Sequence, residues 1–434
     1  MKIENWKEAT IGEVATIIGG GTPSTLNPSY WNGDIQWFTP AELNNSKKYV
    51  SKSERTITEQ GLKESSAKLL PKGTVLLTTR ASIGLTAILK NPACTNQGFQ
   101  SLIAKDICCN EFLYYVIPLI KDEMLSRASG STFAEISARK LSTITLQLPP
   151  LPEQQRIAKA LSDVDALIST TEKLIQKKKN IKQGTMQNLL TGKKRLPGFG
   201  DKQTDLFVPN GTHTKEVKDV SPEQIRLSAK MKQTELGEIP EDWEVKSIKD
   251  FAKVYDGTHQ TPHYVDVGIP FYSVENVTAN DFEHTKLISE KEHRLLTSKV
   301  KIEKGNILMT RIGSIGDCKY IDWEPEASFY VSLALIKCDT SVDARFISYY
   351  SNSLQFKKEL ELRSLITAIP QKINLGPISE IILVLPPKEE QTAIANVLSS
   401  MDKEIETLNT KLEKYRNLKT AMMQQLLTGK IRLI

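Results

Sequence analysis

PPLPEQQRIAKALSDVDALISTTEKLIQKKKNIKQGTMQNLLTGKKRL (Pro149–Leu196) is the stretch that decides the fold, because the chain contains it twice. The second copy is PPKEEQTAIANVLSSMDKEIETLNTKLEKYRNLKTAMMQQLLTGKIRL (Pro386–Leu433), and the two align without a gap at a constant offset of 237 residues. A repeat of this length marks a whole structural unit that is present in duplicate, and any model of the fold must account for it first.

Each copy has the apolar spacing of one long helix. Steps of four and three residues, broken once at Lys419, separate the apolar side chains of the second copy: Ile394, Leu398, Met401, Ile405, Leu408, Leu412, Tyr415, Met422 and Leu426. This spacing is typical of a helix that packs along another helix. The first copy has the same phase at Ile157, Leu161, Val164, Ile168, Ile175 and Leu189, and we expect Leu167, Leu174 and Ile181 to widen its apolar stripe.

The ends of both copies carry helix start and stop signals. Proline is confined to the start, where its missing N–H costs nothing, and Gly192 and Gly429 are placed for left-handed C-terminal caps. About 40 helical residues would be roughly 60 Å long, and a lone helix of that length with one apolar face needs a partner. We expect the two copies to pack antiparallel. The lysines at 177–179 and Lys182 are predicted to form a solvated face, with a phosphate contact as the alternative.

Composition places the chain in a broad class. Its 434 residues predict two or three domains, and a formal net charge of +6 permits nucleic-acid binding without arguing strongly for it. The five cysteines include no C-x-x-C pair, which favours reduced thiols in a cytoplasmic protein. The polar N-terminal residues and the lack of an 18-residue apolar run predict neither a signal peptide nor a membrane span.

The segments before the two helices also repeat each other in outline. Trp6 matches Trp243 at the same offset of 237, the strand-like segment Gly73–Leu77 corresponds to Gly305–Met309, and further along Ser82 corresponds to Ser314. Strand-like segments match while the loops between them diverge, as expected of two related mixed α/β domains with different binding surfaces.

Motifs for catalysis are scarce. The sequence has no G-x-x-x-x-G-K-[ST] phosphate loop, no glycine fingerprint for a dinucleotide and no [ND]-P-P-[YF] tetrapeptide of an amino-methyltransferase. His259 and His263 have i, i+4 spacing, but Pro262 between them disfavours a helical metal pair. These absences favour a binding protein over an enzyme.

Taken together, these features resemble the specificity subunit of a type I restriction–modification system, over nearly the whole chain. The most specific are the two Pro-Pro helix starts, each followed by Glu-Gln, and the Leu-Leu-Thr-Gly ends. The supporting motifs are Trp37–Pro40, Arg80–Gly84, Asn96–Phe99, Gly130–Thr132 and Gly237–Trp243. The second half lacks the Asn-Gln-Gly-Phe and Gly-Ser-Thr stretches of the first.

The resemblance implies an α+β fold with two mixed α/β target-recognition domains in tandem, separated by two long helices packed as an antiparallel coiled coil. The predicted boundaries are a first recognition domain at 1–148, a central helix at 149–192, a linker at 193–234, a second recognition domain at 235–385 and a C-terminal helix at 386–434.

The resemblance also implies partners. The chain would read a bipartite, asymmetric site on double-stranded DNA and dock two modification subunits, with the helix pair setting the spacer. It would carry no catalytic site, metal or cofactor of its own. S-adenosylmethionine and ATP are expected on the modification subunits and on the restriction subunits of the full complex, respectively.

Base reading needs Arg, Asn, Gln, Ser or Thr side chains on loops that reach base edges. The candidates in the first half are Thr22, Ser24, Arg80, Asn96, Gln97, Ser131 and Thr132. Their candidate equivalents in the second half are Thr258, His259, Gln260, Arg311, Ser314 and Arg363. Two other functions stay open: a fused restriction–methylation enzyme with unrecognised catalytic motifs, and a coiled-coil scaffold that binds only protein.

Overall fold

The computed structural model describes residues 5–44, 47–80, 82–129, 134–200, 226–227, 230–365 and 369–434. The chain divides into two compact units, residues 1–173 with 410–434, and residues 174–409. Each unit contains one mixed α/β domain and parts of two long antiparallel helices, which confirms the predicted fold class.

The first domain consists of short strands and helices. In chain order they are β1 (Lys7–Thr10), α1 (Ile11–Val14), β2 (Ala15–Gly19), β3 (Trp31–Phe38), β4 (Tyr49–Val50), β5 (Arg55–Ile57), α2 (Glu59–Lys63), β6 (Val75–Leu77), β7 (Thr86–Leu89), β8 (Cys94–Thr95), β9 (Gln100–Ala104), α3 (Asn110–Val116), α4 (Lys121–Arg127), α5 (Ala138–Ser142) and β10 (Thr145–Leu148).

These strands form three sheets. The largest has the order β2-β9-β6-β7-β4, the second has the order β5-β3-β8, and β1 pairs with β10. The segment Val75–Leu77 is buried at every position, as expected of a strand covered on both faces. The β1–β10 pair brings the start of the domain beside the segment that leads into the first long helix.

The first long helix, α6 (Leu151–Leu189), leads into the second domain, which repeats this plan. Its elements, together with the last helix, are β11 (Lys194–Arg195), β12 (Arg226–Leu227), β13 (Met231–Thr234), β14 (Gly237–Pro240), β15 (Glu244–Ser247), β16 (Ala252–Asp256), β17 (Tyr264–Val265), β18 (Ile269–Tyr272), α7 (Val274–Ala279), β19 (Lys286–Ile288), α8 (Glu290–Thr297), β20 (Ile307–Thr310), β21 (Cys318–Tyr320), β22 (Ser328–Phe329), β23 (Leu333–Cys338), α9 (Ala344–Tyr350), α10 (Leu354–Arg363), α11 (Leu375–Ser379), β24 (Ile382–Leu385) and α12 (Lys388–Leu426).

The sheets of the second domain correspond to those of the first, but the larger sheet has one strand fewer and the smaller sheet one strand more. Their orders are β16-β23-β20-β21 and β17-β19-β18-β22, and β15 pairs with β24 as β1 pairs with β10. The predicted linker at 193–234 lies partly outside the described residues. Of its described part, β11 pairs with β12, and β13 forms a hairpin with β14.

The two long helices end as the sequence predicts. Gly192 and Gly429 adopt φ angles of 67° and 68°, so both are left-handed C-terminal caps. Seam residues such as Leu161 and Leu398 are fully buried. The prediction of a wider apolar stripe on the first helix is wrong at two positions. Leu167 and Leu174 are 45% and 39% exposed, and each lies one residue away from a residue of the seam.

Ion pairs between the helices fix their antiparallel register. In the first unit Lys419 of α12 lies 2.7 Å from Asp165 of α6, and in the second unit Lys182 of α6 lies 2.5 Å from Asp402 of α12. Each of these aspartates also accepts a hydrogen bond from a tyrosine hydroxyl of its own unit's domain, at 2.5 Å from Tyr115 in the first unit.

The lysines at 177–179 and Lys182 do not form one solvated face as predicted. Lys182 and Lys178 pair across the helix seam with Asp402 and Glu404. The partners lie on the other long helix, more than 200 residues away in sequence, which explains why local spacing could not reveal them.

A buried Trp–Glu–Arg cluster, here called the clasp, occurs once in each unit. In the first unit both carboxylate oxygens of Glu153 accept from Arg432, at 2.6 and 2.8 Å, and Trp6 Nε1 donates to Oε2 at 3.2 Å. The glutamate begins α6, the tryptophan precedes β1, and the arginine follows the end of α12. The first clasp thus joins the domain to both helices.

The second clasp repeats these residues at the same offset of 237. Arg195 donates to Glu390 at 2.8 and 2.5 Å, and Trp243 Nε1 donates to Oε2 at 3.1 Å. Arg195 also donates to both oxygens of Asp242, at 2.7 and 2.8 Å. Arg432 lowers the pKa of Glu153, whereas burial raises the pKa of the more deeply enclosed Glu390 against the opposing effect of Arg195.

The core of each domain continues onto the helix pair beside its clasp. In the first unit, Phe112 and Tyr115 share a buried cluster with Ile157 of α6 and Leu426 of α12. In the second unit, Phe346 shares its cluster with Leu189 of α6, among other residues. All five cysteines are free thiols, and within the described ranges no helix is long and apolar enough to span a bilayer.

We predict that Arg195→Ala destabilises the second unit by roughly 3–5 kcal/mol, because it leaves the carboxylate of Glu390 buried without its cation. Arg294→Ala is the matched control, since Arg294 pairs with Glu290 at 3.3 Å on the surface and its side chain is 80% exposed. Denaturant unfolding of both variants measures the difference. Equal losses of unfolding free energy would contradict a structural role for the clasp.

Candidate nucleic-acid interface

Four chain segments meet at one edge of the first domain, here called its loop edge. They are residues 20–24 after β2, residues 79–80 and 82–84 after β6, residues 95–98 after β8, and residues 129 and 134–136. Backbone hydrogen bonds join them: Gly21 N to Thr95 O at 2.8 Å, Thr79 N to Gly98 O at 2.9 Å, and Ile136 N to Thr79 O at 3.1 Å. The described candidates of the first half all lie on this edge.

Thr22 and Gln97 come from different segments and touch. The Thr22 hydroxyl donates to Gln97 Oε1 at 2.5 Å, and Gln97 is exposed. Asn96 caps its own turn, because its Oδ1 accepts from Gly98 N at 2.9 Å. Ser24 is exposed. The geometry therefore presents Gln97 and Ser24 outward, while Asn96 holds the turn in shape.

Arg80 is the exposed cation of this edge. Its backbone forms a bridge to Glu135, and its Nε lies 3.8 Å from the Glu135 carboxylate. Side-chain exposures of 46% and 44% make this a weak surface pair that a stronger acceptor can replace. Ser131 and Thr132 lie outside the described residues, so their candidacy stays a prediction.

Gly20 makes the crossing of two segments possible. A Cβ at this position would lie 1.9 Å from Asn96 O, so only glycine fits. Gly257 takes the same place in the second domain, where a Cβ would lie 2.5 Å from the Tyr330 backbone. The two domains thus build their first loop in the same way, although the loop sequences differ.

The loop edge of the second domain repeats the backbone pattern of the first. It contains residues 257–260, 310–316, 329–332, 363–365 and 369–373. Thr258 N donates to Phe329 O at 3.1 Å, Arg311 N to Ser332 O at 2.9 Å, and Ile373 N to Arg311 O at 2.9 Å.

This register shows which residues of the two edges correspond. Arg311 makes the backbone bonds that Thr79 makes in the first domain, and Ile312 bridges to Lys372 as Arg80 bridges to Glu135. The counterpart of Arg80 is therefore Ile312. The sequence alignment through Ser82 and Ser314 also pairs Arg80 with Ile312. The prediction named Arg311, the arginine one position earlier, and was wrong about this equivalence.

Arg311 lies beneath the loop edge and not on it. The residue is 6% exposed, and its guanidinium donates to Asp256 Oδ1 at 2.8 Å and to Ile373 O at 3.2 Å. The other oxygen of Asp256 lies 2.7 Å from Nε2 of His259, whose side chain is 72% exposed. A buried cation thus fixes a carboxylate that orients an exposed imidazole.

The remaining candidates of the second domain are partly occupied by local contacts. Thr258 and Gln260 form a turn in which Gln260 N donates to the Thr258 hydroxyl at 3.3 Å. Ser314 is exposed and donates to Asp317. Arg363 is half-buried and pairs with Glu359 one helical turn earlier. His259, Gln260 and Ser314 are thus the candidates that face solvent.

Sequence reasoning overlooked the residues that hold the first loop. Trp37 Nε1 donates to Gly21 O at 2.8 Å, and Trp31 Nε1 donates to Ser24 O at 3.1 Å. A buried indole requires an acceptor for its N–H, and two tryptophans six residues apart could have signalled such a support. Among the described residues, no group of three His, Cys, Asp or Glu side chains is arranged to hold a metal ion.

Comparisons with known proteins identify the family of the chain. The family model described as the type I restriction modification DNA specificity domain matches residues 3–183 and 240–414. The MjaIX specificity subunit of Methanocaldococcus jannaschii is 33% identical over 311 residues, which cover 68% of this chain and 65% of that protein, just under two thirds. The MjaVIII subunit of the same organism is 26% identical over 99% of this chain and 93% of its own length.

A solved structure shows the same fold. The type I restriction–modification S subunit from M. genitalium superposes with a TM-score of 0.59 at 14% identity, covering 98% of both chains. With matches in both halves of the sequence, the chain belongs to the type I restriction–modification DNA specificity family.

Proposed function

We propose that this subunit reads a bipartite, asymmetric site on double-stranded DNA, one part with each loop edge. The supporting observation is that one backbone frame is built twice and carries unlike side chains. Gln97 and Arg80 are exposed on the first edge, and His259 and Ser314 on the second. Identical frames with unlike contact residues suit two half-sites of different sequence.

The helix pair would set the distance between the half-sites. Both α6 and α12 have 39 residues, which corresponds to roughly 60 Å of helix. A B-DNA turn is roughly 34 Å, so a support of this length suits half-sites about one turn or a little more apart. Since the clasp joins each domain to both helices, the length of the helices would be transmitted to the domains.

The partners would be the other subunits of a type I system. A solved structure with a similar fold, with a TM-score of 0.53 at 16% identity, is described as showing the structural basis of complex assembly of the type I R-M system. Each unit contains parts of both long helices joined to a domain by the same kind of clasp, which supports the docking of two modification subunits. S-adenosylmethionine would be bound by those subunits and ATP by the restriction subunits, with no cofactor on this chain.

Co-expression with the cognate modification subunits, followed by mapping of methylated adenines, tests the proposal. We expect one two-part motif with a constant gap. Methyl transfer by the purified chain alone, with labelled S-adenosylmethionine and DNA, would favour a fused enzyme. Failure to select any duplex from a random pool would favour a scaffold that binds only protein.

We predict that shortening both helices together by one turn changes the gap between half-sites and leaves the bases unchanged. Suitable positions lie where both helices cross between the two units, near residues 173 and 410. Methylation mapping of the shortened complex gives the gap directly. A changed base preference with an unchanged gap would contradict the spacer role.

We predict that Arg80→Ala and Arg311→Ala fail in different ways. Arg80→Ala should weaken binding to the selected duplex by roughly 5- to 100-fold and random-duplex binding much less, without loss of stability. Arg311→Ala should instead lower the free energy of unfolding by roughly 1–3 kcal/mol, because it leaves Asp256 without its buried partner. Equal loss on both duplexes for Arg80→Ala would make Arg80 a backbone contact.

A further inference from the structure

An aromatic pair supports the loop edge of the first domain from its small sheet. Trp31 and Trp37 lie at opposite ends of β3, and their ring centroids are 5.1 Å apart at an interplanar angle of 87°. Both rings are largely buried. Trp31 Nε1 donates to the carbonyl of Ser24 and Trp37 Nε1 to that of Gly21, so two hydrogen bonds join the ring pair to the first loop.

Arg55 lies on the outer ring of this pair. It occupies β5 directly opposite Trp37, and its guanidinium carbon is 3.6 Å from the centre of the Trp31 ring. The other described cation–ring distances are 4.7 Å or more, so this is the one close stack. Arg55 is exposed, and no described carboxylate forms an ion pair with it.

Stacking leaves a specific part of Arg55 open. The tryptophan covers one face of the planar guanidinium, whereas the N–H donors point outward along its edges. A fixed plane with a free edge loses little conformational entropy when it makes two parallel hydrogen bonds. This is the geometry that recognises the O6 and N7 acceptors of guanine in the major groove.

The second domain places a cation in the same way. Lys286 of β19 lies opposite Phe271 of β18, as Arg55 lies opposite Trp37. Phe271 packs edge-on to Tyr264 with centroids 6.1 Å apart, and the Lys286 ammonium lies 5.0 Å from the Tyr264 ring. Lys286 is exposed and has no ion-pair partner in the described part of the chain.

We propose that Arg55 and Lys286 are DNA contacts held in equivalent positions on the aromatic pairs, and that they contact different parts of the DNA. Arg55 reads a guanine through two parallel hydrogen bonds. Lys286, a point charge without a fork, contacts a backbone phosphate. The inference rests on the proposed DNA-reading function and adds one base-specific and one non-specific contact to it.

The test uses the full chain in complex with its modification subunits and the duplex selected by the wild type from a random pool. Arg55→Ala should abolish the preference for one G·C pair in a single half-site, with a loss of roughly 5- to 100-fold on the selected duplex. Arg55→Lys should not restore it, because lysine lacks the fork. Random-duplex binding should stay within about two-fold, since the contact is base-specific.

Lys286→Ala should weaken selected and random duplexes equally and reduce the salt dependence of log K by about 0.9, as expected for one phosphate. Lys286→Arg should retain both affinities. Lys7→Ala and Lys253→Ala are the controls, because each removes one exposed cation that lies neither on a loop edge nor against an aromatic pair. Thermal midpoints of all variants report whether folding is intact.

The outcomes separate this inference from the proposed function. If the wild type selects no two-part duplex, the proposed function fails. If the wild type selects one and Arg55→Ala binds like the controls, or weakens both duplexes equally, guanine reading by Arg55 is overturned. A base-specific loss in Lys286→Ala would overturn the phosphate assignment.

Discussion

The structure depends on a buried carboxylate at the start of each long helix. A carboxylate removed from water is costly unless cations and N–H donors surround it. For Glu390 those donors are Trp243, which directly precedes β15, and Arg195, from beyond the end of α6. Only one placement of the domain on the helix pair brings all three together. Core packing holds the domain against the helix pair, and the clasp fixes the one register in which the two pack.

The same division between frame and contact residues continues at the loop edges. Gly20 and Gly257 permit the same crossing of segments, and Thr79 and Arg311 make the same backbone bonds. These backbone contacts do not depend on which side chains face solvent in either domain. The edges can therefore differ in chemistry without change in the sheets below.

The sequence predicted the long helices and the repeated domains better than the contacts between distant residues. The helices follow from apolar spacing, their caps from Gly192 and Gly429, and the domain repeat from matching segments, all of which are visible along the sequence. The pairing of Lys182 with Asp402 and of Arg195 with Glu390 could not be predicted, because both acids lie on α12, about 200 residues away in sequence. Arg55 was missed for the same reason: its stack on Trp31 follows from the pairing of β3 with β5, and not from spacing along one strand.

The division of the chain into units has a consequence for biosynthesis. Residues 174–409 form one unit from a continuous segment, whereas the other unit combines residues up to 173 with residues 410–434. Arg432 and Leu426 complete the clasp and core of a domain whose strands left the ribosome hundreds of residues earlier. The domain translated first is therefore completed only after α12 has been synthesised. Until then its hydrophobic face against α12 stays uncovered, and exposed surface of this kind is prone to aggregation.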